Sequence, residues 1–200
     1  MSHTSRNTTR NTKTTLLAAA IAGVMLAAAP AWSQTASTPS TAMKDTASSD
    51  KIARSDASMM KDLAQGNMGE IDAGKLALEK SQNADVKKFA QMMVDDHTKA
   101  LGEVTALAQT KGVVLPDGAG AMAKTKATAM KALSGSLFDK EYAKHAGVGD
   151  HEKTVKLLKK IEKDGKDADF KALATKMLPT VEGHLKMAKD LAAMKMDKAS

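Results

Sequence analysis

The sequence predicts an all-α protein, a ferritin-like four-helix bundle with a long crossover between helices 2 and 3. Three observations predict it. Beyond residue 57 the helix formers Ala, Leu, Lys, Met, Glu and Gln dominate, and no stretch alternates apolar and polar residues as a strand would. Four long segments repeat their apolar residues at the helical period. The first and last joins between these segments are short, whereas the middle one is long.

The elements follow in order. Arg6, Arg10 and Lys13 give the chain a basic start, and an apolar run follows from Leu16 to Ala31. Small residues come next at Ala29, Ala31 and Ser33. This is the pattern of a secretory signal peptide over residues 1–33, so the protein is expected to be exported, to the periplasm or in association with the outer membrane. The apolar run is short and alanine-rich for a membrane anchor, and no transmembrane helix is expected in the mature chain. The chain has no cysteine, so neither a lipid-anchored cysteine nor a disulfide is available after export. Residues 34–56 are rich in Ser, Thr and Ala and read as a flexible linker, because they bury too little apolar area to offset the entropy of ordering. The ferritin-like domain is expected over 57–195, long enough for one real core.

Helix one is expected over 57–81, with Leu63, Gly66, Glu70, Ala73, Gly74 and Ala77 on its inward stripe. Helix two is expected over 84–111, capped by Asn83 and stopped by Gly112. A connection over 112–135 follows, in which AMAKTKATAMKAL suits a short helix. Helix three is expected over 136–164, ending before Gly165. Helix four is expected over 168–195, capped by Asp167 and bent by Pro179. Each short join makes an antiparallel helical hairpin. The long connection can cross a bundle from end to end, which is the ferritin-like topology.

Charge and aromatic content limit the function. The formal net charge is +7, and removing the three basic residues of the first segment leaves +4. With one Tyr, one Trp and three Phe, few rings are available to stack on bases, so nucleic-acid binding is not expected. A mildly basic surface allows association with the cell envelope. No catalytic triad or phosphate-binding loop is visible.

Three similar stretches carry the chemistry: VDDHTK, VGDHEK and VEGHLK. They place Val94, Val148 and Val181 three residues before His97, His151 and His184. At about 100° per residue all three histidines fall on the apolar stripes of their helices, as Glu70 does on helix one. With a rise of about 1.5 Å per residue, the four side chains reach one layer near the middle of a bundle about 40 Å long. Such a layer is either a hydrogen-bonded polar network that fixes register, or a site for one transition-metal ion (Fe, Cu or Zn). Asp96 and Asp150, each just before a histidine, are candidates for holding the imidazoles in orientation. His145 points elsewhere and is expected to be peripheral. Asp139 and Glu141 read as acids that favour the first turn of helix three. Methionines cluster at Met59, Met60 and Met68 and at Met187, Met194 and Met196, as core filler or soft contact surface.

The stretches FAQMMVDDHTKAL, SGSLFDKEYAKHAGVGDHEKTVKLL and LATKMLPTVEGHLKMAKDL resemble a widespread bacterial family of unknown function. Its members are exported, often labelled outer membrane proteins. The resemblance implies a ferritin-like fold and an exported location, and no established activity. The ferritin di-iron pattern needs Glu-x-x-His on two helices, and here Val94 and Val181 stand in place of the glutamates. One carboxylate and three histidines suit a single metal better. The sequence thus points to an exported envelope protein of unknown biochemical activity, a binding or protective module whose mid-bundle layer is a candidate metal site. The alternatives are a metal-dependent redox enzyme and a purely structural envelope protein with a polar core layer.

Overall fold

The computed structural model describes residues 51–194. The signal peptide expected over 1–33, most of the linker expected over 34–56, and Met196 lie outside these residues. Among the described residues every regular element is helical. The order is α1 (Arg54–Lys80), α2 (Ala84–Thr110), α3 (Ala121–Lys131), α4 (Gly135–Glu141), a π-helical segment (Tyr142–Asp150), α5 (His151–Asp164) and α6 (Ala168–Ala193). No helix among them is long and apolar enough to cross a membrane.

The expected caps form. Asn83 accepts from the backbone amides of Asp85 and Val86, and Asp167 from that of Phe170. These contacts satisfy amides that the first turn of each helix leaves free. α1 begins three residues earlier than its periodicity indicates, because Asp56 is fixed by tertiary contacts. Its buried Oδ2 accepts from the backbone amides of Lys166 and Asp167 at 2.7 and 2.8 Å. The start of α1 is thereby tied to the turn between α5 and α6. Lys111 closes the same end, bridging Asp167 and Asp169 at 2.8 and 2.7 Å.

Adjacent helices run in opposite directions. Gly74 lets α1 approach α2 closely: a Cβ there would lie 2.8 Å from Val94 Cγ2 and 3.0 Å from the Ala90 carbonyl. α2 faces α6 through Asp96 to His184 and Glu103 to Lys176. α5 faces α6 through Lys159 to Glu182. Between the two hairpins, residues 111–134 carry the chain across, with α3 along the way as the sequence suggests.

The third expected helix departs from its prediction. It is not one α-helix over 136–164. It breaks into α4, a nine-residue π-helical segment and α5. Gly147, inside the π segment, packs so close to α6 that a Cβ would lie 3.0 Å from Ala188 Cβ.

The buried apolar residues form two clusters. One joins Met60 and Leu63 of α1 with Val104, Leu158, Ile161 and Phe170. The other joins Phe89, Ala90 and Met93 of α2 with Phe138, Tyr142 and Leu191. Between them, along each helix, lie the buried polar residues Asn67, Glu70, His97, His151 and His184.

Candidate metal centre

The repeated V-x-x-H frame brings the three histidines together. His97 comes from α2, His184 from α6, and His151 from the first position of α5. All three are buried, and their ring centroids form a near-equilateral triangle with sides of 5.4, 5.5 and 5.5 Å. One ring nitrogen from each lies within 4.8 Å of the others, a group that could hold a metal ion.

The hydrogen-bond partners fix the tautomers. His97 Nδ1 donates to Asn67 Oδ1 at 2.9 Å. The Asn67 amide cannot be turned round, because its Nδ2 donates to the Leu63 carbonyl at 2.8 Å. His151 Nδ1 donates to the Ala146 carbonyl at 3.2 Å. His184 Nε2 donates to Asp96 Oδ2 at 2.9 Å. Each outer nitrogen therefore faces an acceptor and carries the proton, and each inner nitrogen presents a lone pair. His97 Nε2 and His151 Nε2 stand 3.4 Å apart, and His184 Nδ1 is buried without a partner.

Electrostatics keep the rings neutral. Burial, reinforced by the neighbouring imidazoles His151 and His184, pushes His97 down to about 3. Burial also takes His151 down to about 4. His184 is lowered by burial too, against the opposing pull of Asp96. Neutral imidazoles with converging lone pairs are the form in which histidine binds metal.

The carboxylates separate by role. Asp96 holds the outer nitrogen of His184. Asp150 contacts no histidine nitrogen; it pairs with Lys126 and Lys153. Glu70 is buried, and its Oε1 lies 3.7 Å from Nδ1 of His151, on the side of that ring away from His97. Its carboxyl thus stands behind the three converging nitrogens. Burial, then the nearby Asp150, raises its pKa well above the usual value. His145 is half-exposed and pairs with Glu141 at 2.9 Å. Asp139 is buried rather than a solvated first-turn acid, and its Oδ1 has no partner.

Asn67 is the residue that periodicity missed. The expected inward stripe passed through Gly66, yet Gly66 is exposed and Asn67 buried. One signal was available: a polar, poor helix former one turn before Glu70 on the same helix.

Comparison with known proteins adds three findings. The family model described as "Domain of unknown function (DUF4142)" matches residues 41–191. A DUF305 fragment from Deinococcus radiodurans is similar in structure, with a TM-score of 0.63 at 13% identity, covering 72% of this chain and 99% of that one. CopM in its Cu(I)-bound form is similar with a TM-score of 0.56 at 17% identity, covering 68% of this chain and 93% of CopM; its Ag-bound form gives 0.55 at 18%, covering 68% and 92%. At these identities the likeness concerns the fold. No curated protein matches significantly.

Proposed function

Because the chain belongs to the DUF4142 family, whose description assigns no activity, its function has to be read from its own residues, and we propose that it is an exported envelope protein that binds one transition-metal ion on His97, His151 and His184. The observation that carries this reading is the set of tautomers. Each buried imidazole engages an acceptor through its outer nitrogen, which leaves one nitrogen per ring, within 4.8 Å of the others, free to bind a cation. In a polar layer that served only to hold the core, His184 Nδ1 would have a partner, since an unpaired buried nitrogen costs about 1–3 kcal/mol. A cation at that point relieves the lone-pair repulsion of all three rings.

Copper is the metal we favour over the iron and zinc that the sequence also allows. The converging set holds neutral nitrogen donors only, and copper heads the affinity order for such sites. CopM, similar in fold, is described in Cu(I)-bound, Cu(II)-bound and Ag-bound forms. Asp96 and Asn67 hold two of the ligands. A pocket of about 110 Å³, lined by Asp96, His97, Met177 and His184, offers small ions a path from solvent. The same pocket keeps a redox-enzyme reading open as the second choice. The proposed layout is a signal peptide over 1–33, a linker over 34–56 and a ferritin-like bundle over 57–195. In this reading the protein binds or sequesters the metal in the periplasm or at the outer membrane.

The test is elemental mass spectrometry on untagged mature protein from periplasm, before and after incubation with copper, zinc and iron. We expect one copper per chain, lost in a variant carrying His151→Ala and His184→Ala. A wild type that stays metal-free after all three incubations would sink the proposal.

A further inference from the structure

The crossover leaves a groove of about 850 Å³ between α1, α3 and the wall made by the π segment and α5. Its walls are mostly apolar: Ala73 and Leu76 of α1, Ala123, Ala127 and Met130 of α3, and Leu157 of α5. The stretch of α1 along it, from Asp62 to Glu79, covers about 25 Å at roughly 1.5 Å per residue, so the groove is elongated. Helix α3 spans it without burying a single residue of its own. Lys126 pairs with Asp150 on the opposite wall, and Lys80 donates to the Lys131 carbonyl at 2.9 Å. The crossover helix therefore bridges the groove rather than filling it.

Two polar side chains line it without partners. Tyr142 is 2% exposed, and its hydroxyl has no hydrogen bond. Glu70 is 4% exposed, and its nearest histidine nitrogen lies at 3.7 Å, beyond hydrogen-bonding range. Buried polar groups are normally paired, so the orphaned Tyr142 hydroxyl, with the Glu70 carboxyl on the same wall of an open apolar groove, calls for a ligand. Charge narrows its class. The groove is lined by five carboxylate residues and five lysines, with Lys126 and Lys153 both drawn onto Asp150, so the lining offers no net charge to an ionic head.

We propose that this groove binds a single-chain amphiphile, an extended hydrocarbon chain lying along α1 under α3 with a neutral oxygen head on Tyr142 and Glu70. The site is separate from the three histidine nitrogens and does not depend on metal.

The test uses the full mature chain and two probes, the neutral fluorophore N-phenyl-naphthylamine and dodecanol as its competitor. We expect saturable binding of one fluorophore per chain and its displacement by dodecanol. Ala123→Trp, beside Gly69 under the crossover helix, fills the groove and abolishes binding. Ala127→Trp does the same from the next turn, and circular dichroism identifies any variant that fails to fold. Tyr142→Phe weakens dodecanol about tenfold, as expected for one lost hydrogen bond, and leaves the fluorophore unchanged. His184→Ala, which removes a metal ligand, leaves both probes unchanged. Absence of saturable binding in the wild type, or undiminished binding in folded forms of both Trp variants, overturns the proposal. Equal dodecanol affinity in Tyr142→Phe overturns the placement of the head.

Discussion

Asn67 decides which nitrogen of His97 carries the proton. With its Oδ1 in place, Nδ1 is the donor and Nε2 keeps its lone pair for the centre. Without it, a buried N–H loses its acceptor, and the other tautomer becomes competitive because Nε2 can then donate to His151 Nε2 at 3.4 Å. Asn67→Ala is therefore expected to lower copper affinity by about 10- to 100-fold and stability by about 1–3 kcal/mol. Asn67→Asp keeps an acceptor oxygen and is expected to retain most of the affinity. A competition titration against a Cu(I) chelator measures both, and equal affinities for the Ala variant and the wild type would remove Asn67 from the site. At this scale the sequence was informative where a residue type is rare. Three of five histidines in one local frame are visible by eye. An asparagine one step off the ideal stripe is not, because a small rotation of α1 decides between Gly66 and Asn67, and packing against α2 sets that rotation.

At the scale of elements, the π segment does what a regular helix there would not. Its wider pairing over Tyr142–Asp150 lets Tyr142 and Ala143 join the apolar core while His151, at the first α-helical position, faces His97 and His184. Ala146, inside the same segment, supplies the carbonyl that holds the His151 proton. Removing one residue from the stretch, Gly149, should return it to α pairing and turn His151 by about 100° relative to Tyr142. We expect that deletion variant to keep its helical circular dichroism and to lose stoichiometric copper. Retained copper would mean that the π geometry is incidental to the site. Three of the four long segments and both short hairpin joins were legible because periodicity and capping are local signals. The π segment was not, since its cause is tertiary: Gly147 must seat against Ala188, and α5 must rotate to present His151.

Over the whole molecule, the site sets the acid stability of the metal-free protein. Two apolar clusters flank a layer whose histidines titrate near 3 and 4, far below their ordinary 6.5, with His184 also lowered. The unfolded chain takes up protons on these rings as pH falls through 6.5, while the folded protein does not. Their contribution is thus fully present above pH 6.5 and declines as pH drops toward 4, by roughly 1 kcal/mol per pH unit for each of His97 and His151. Glu70 works in the opposite sense. Its raised pKa gives stability below 4.5 that is lost as pH rises through its folded value. His97 and His151 together lose about 2 kcal/mol per pH unit on acidification, with His184 adding to that loss and Glu70 opposing it. This is a large share of the roughly 5–15 kcal/mol that holds a domain together. Between pH 7 and 5 the melting temperature of the metal-free protein should therefore fall by about 10 °C, on the scale of roughly 2–4 °C per kcal/mol for a domain of this size. A variant with His97→Leu, His151→Leu and His184→Leu should lose most of that dependence, because the layer then has no ring left to protonate. Copper-loaded wild type should melt higher than the metal-free protein at pH 7, by an amount that grows with free copper, and lose this advantage on acidification as protons compete for the three nitrogens. Differential scanning calorimetry across pH measures all three. A melting temperature of the metal-free wild type that is flat from pH 7 to 5 would mean that the histidines take up protons as readily in the fold as in the unfolded chain, and neutral rings holding a metal would no longer describe this layer.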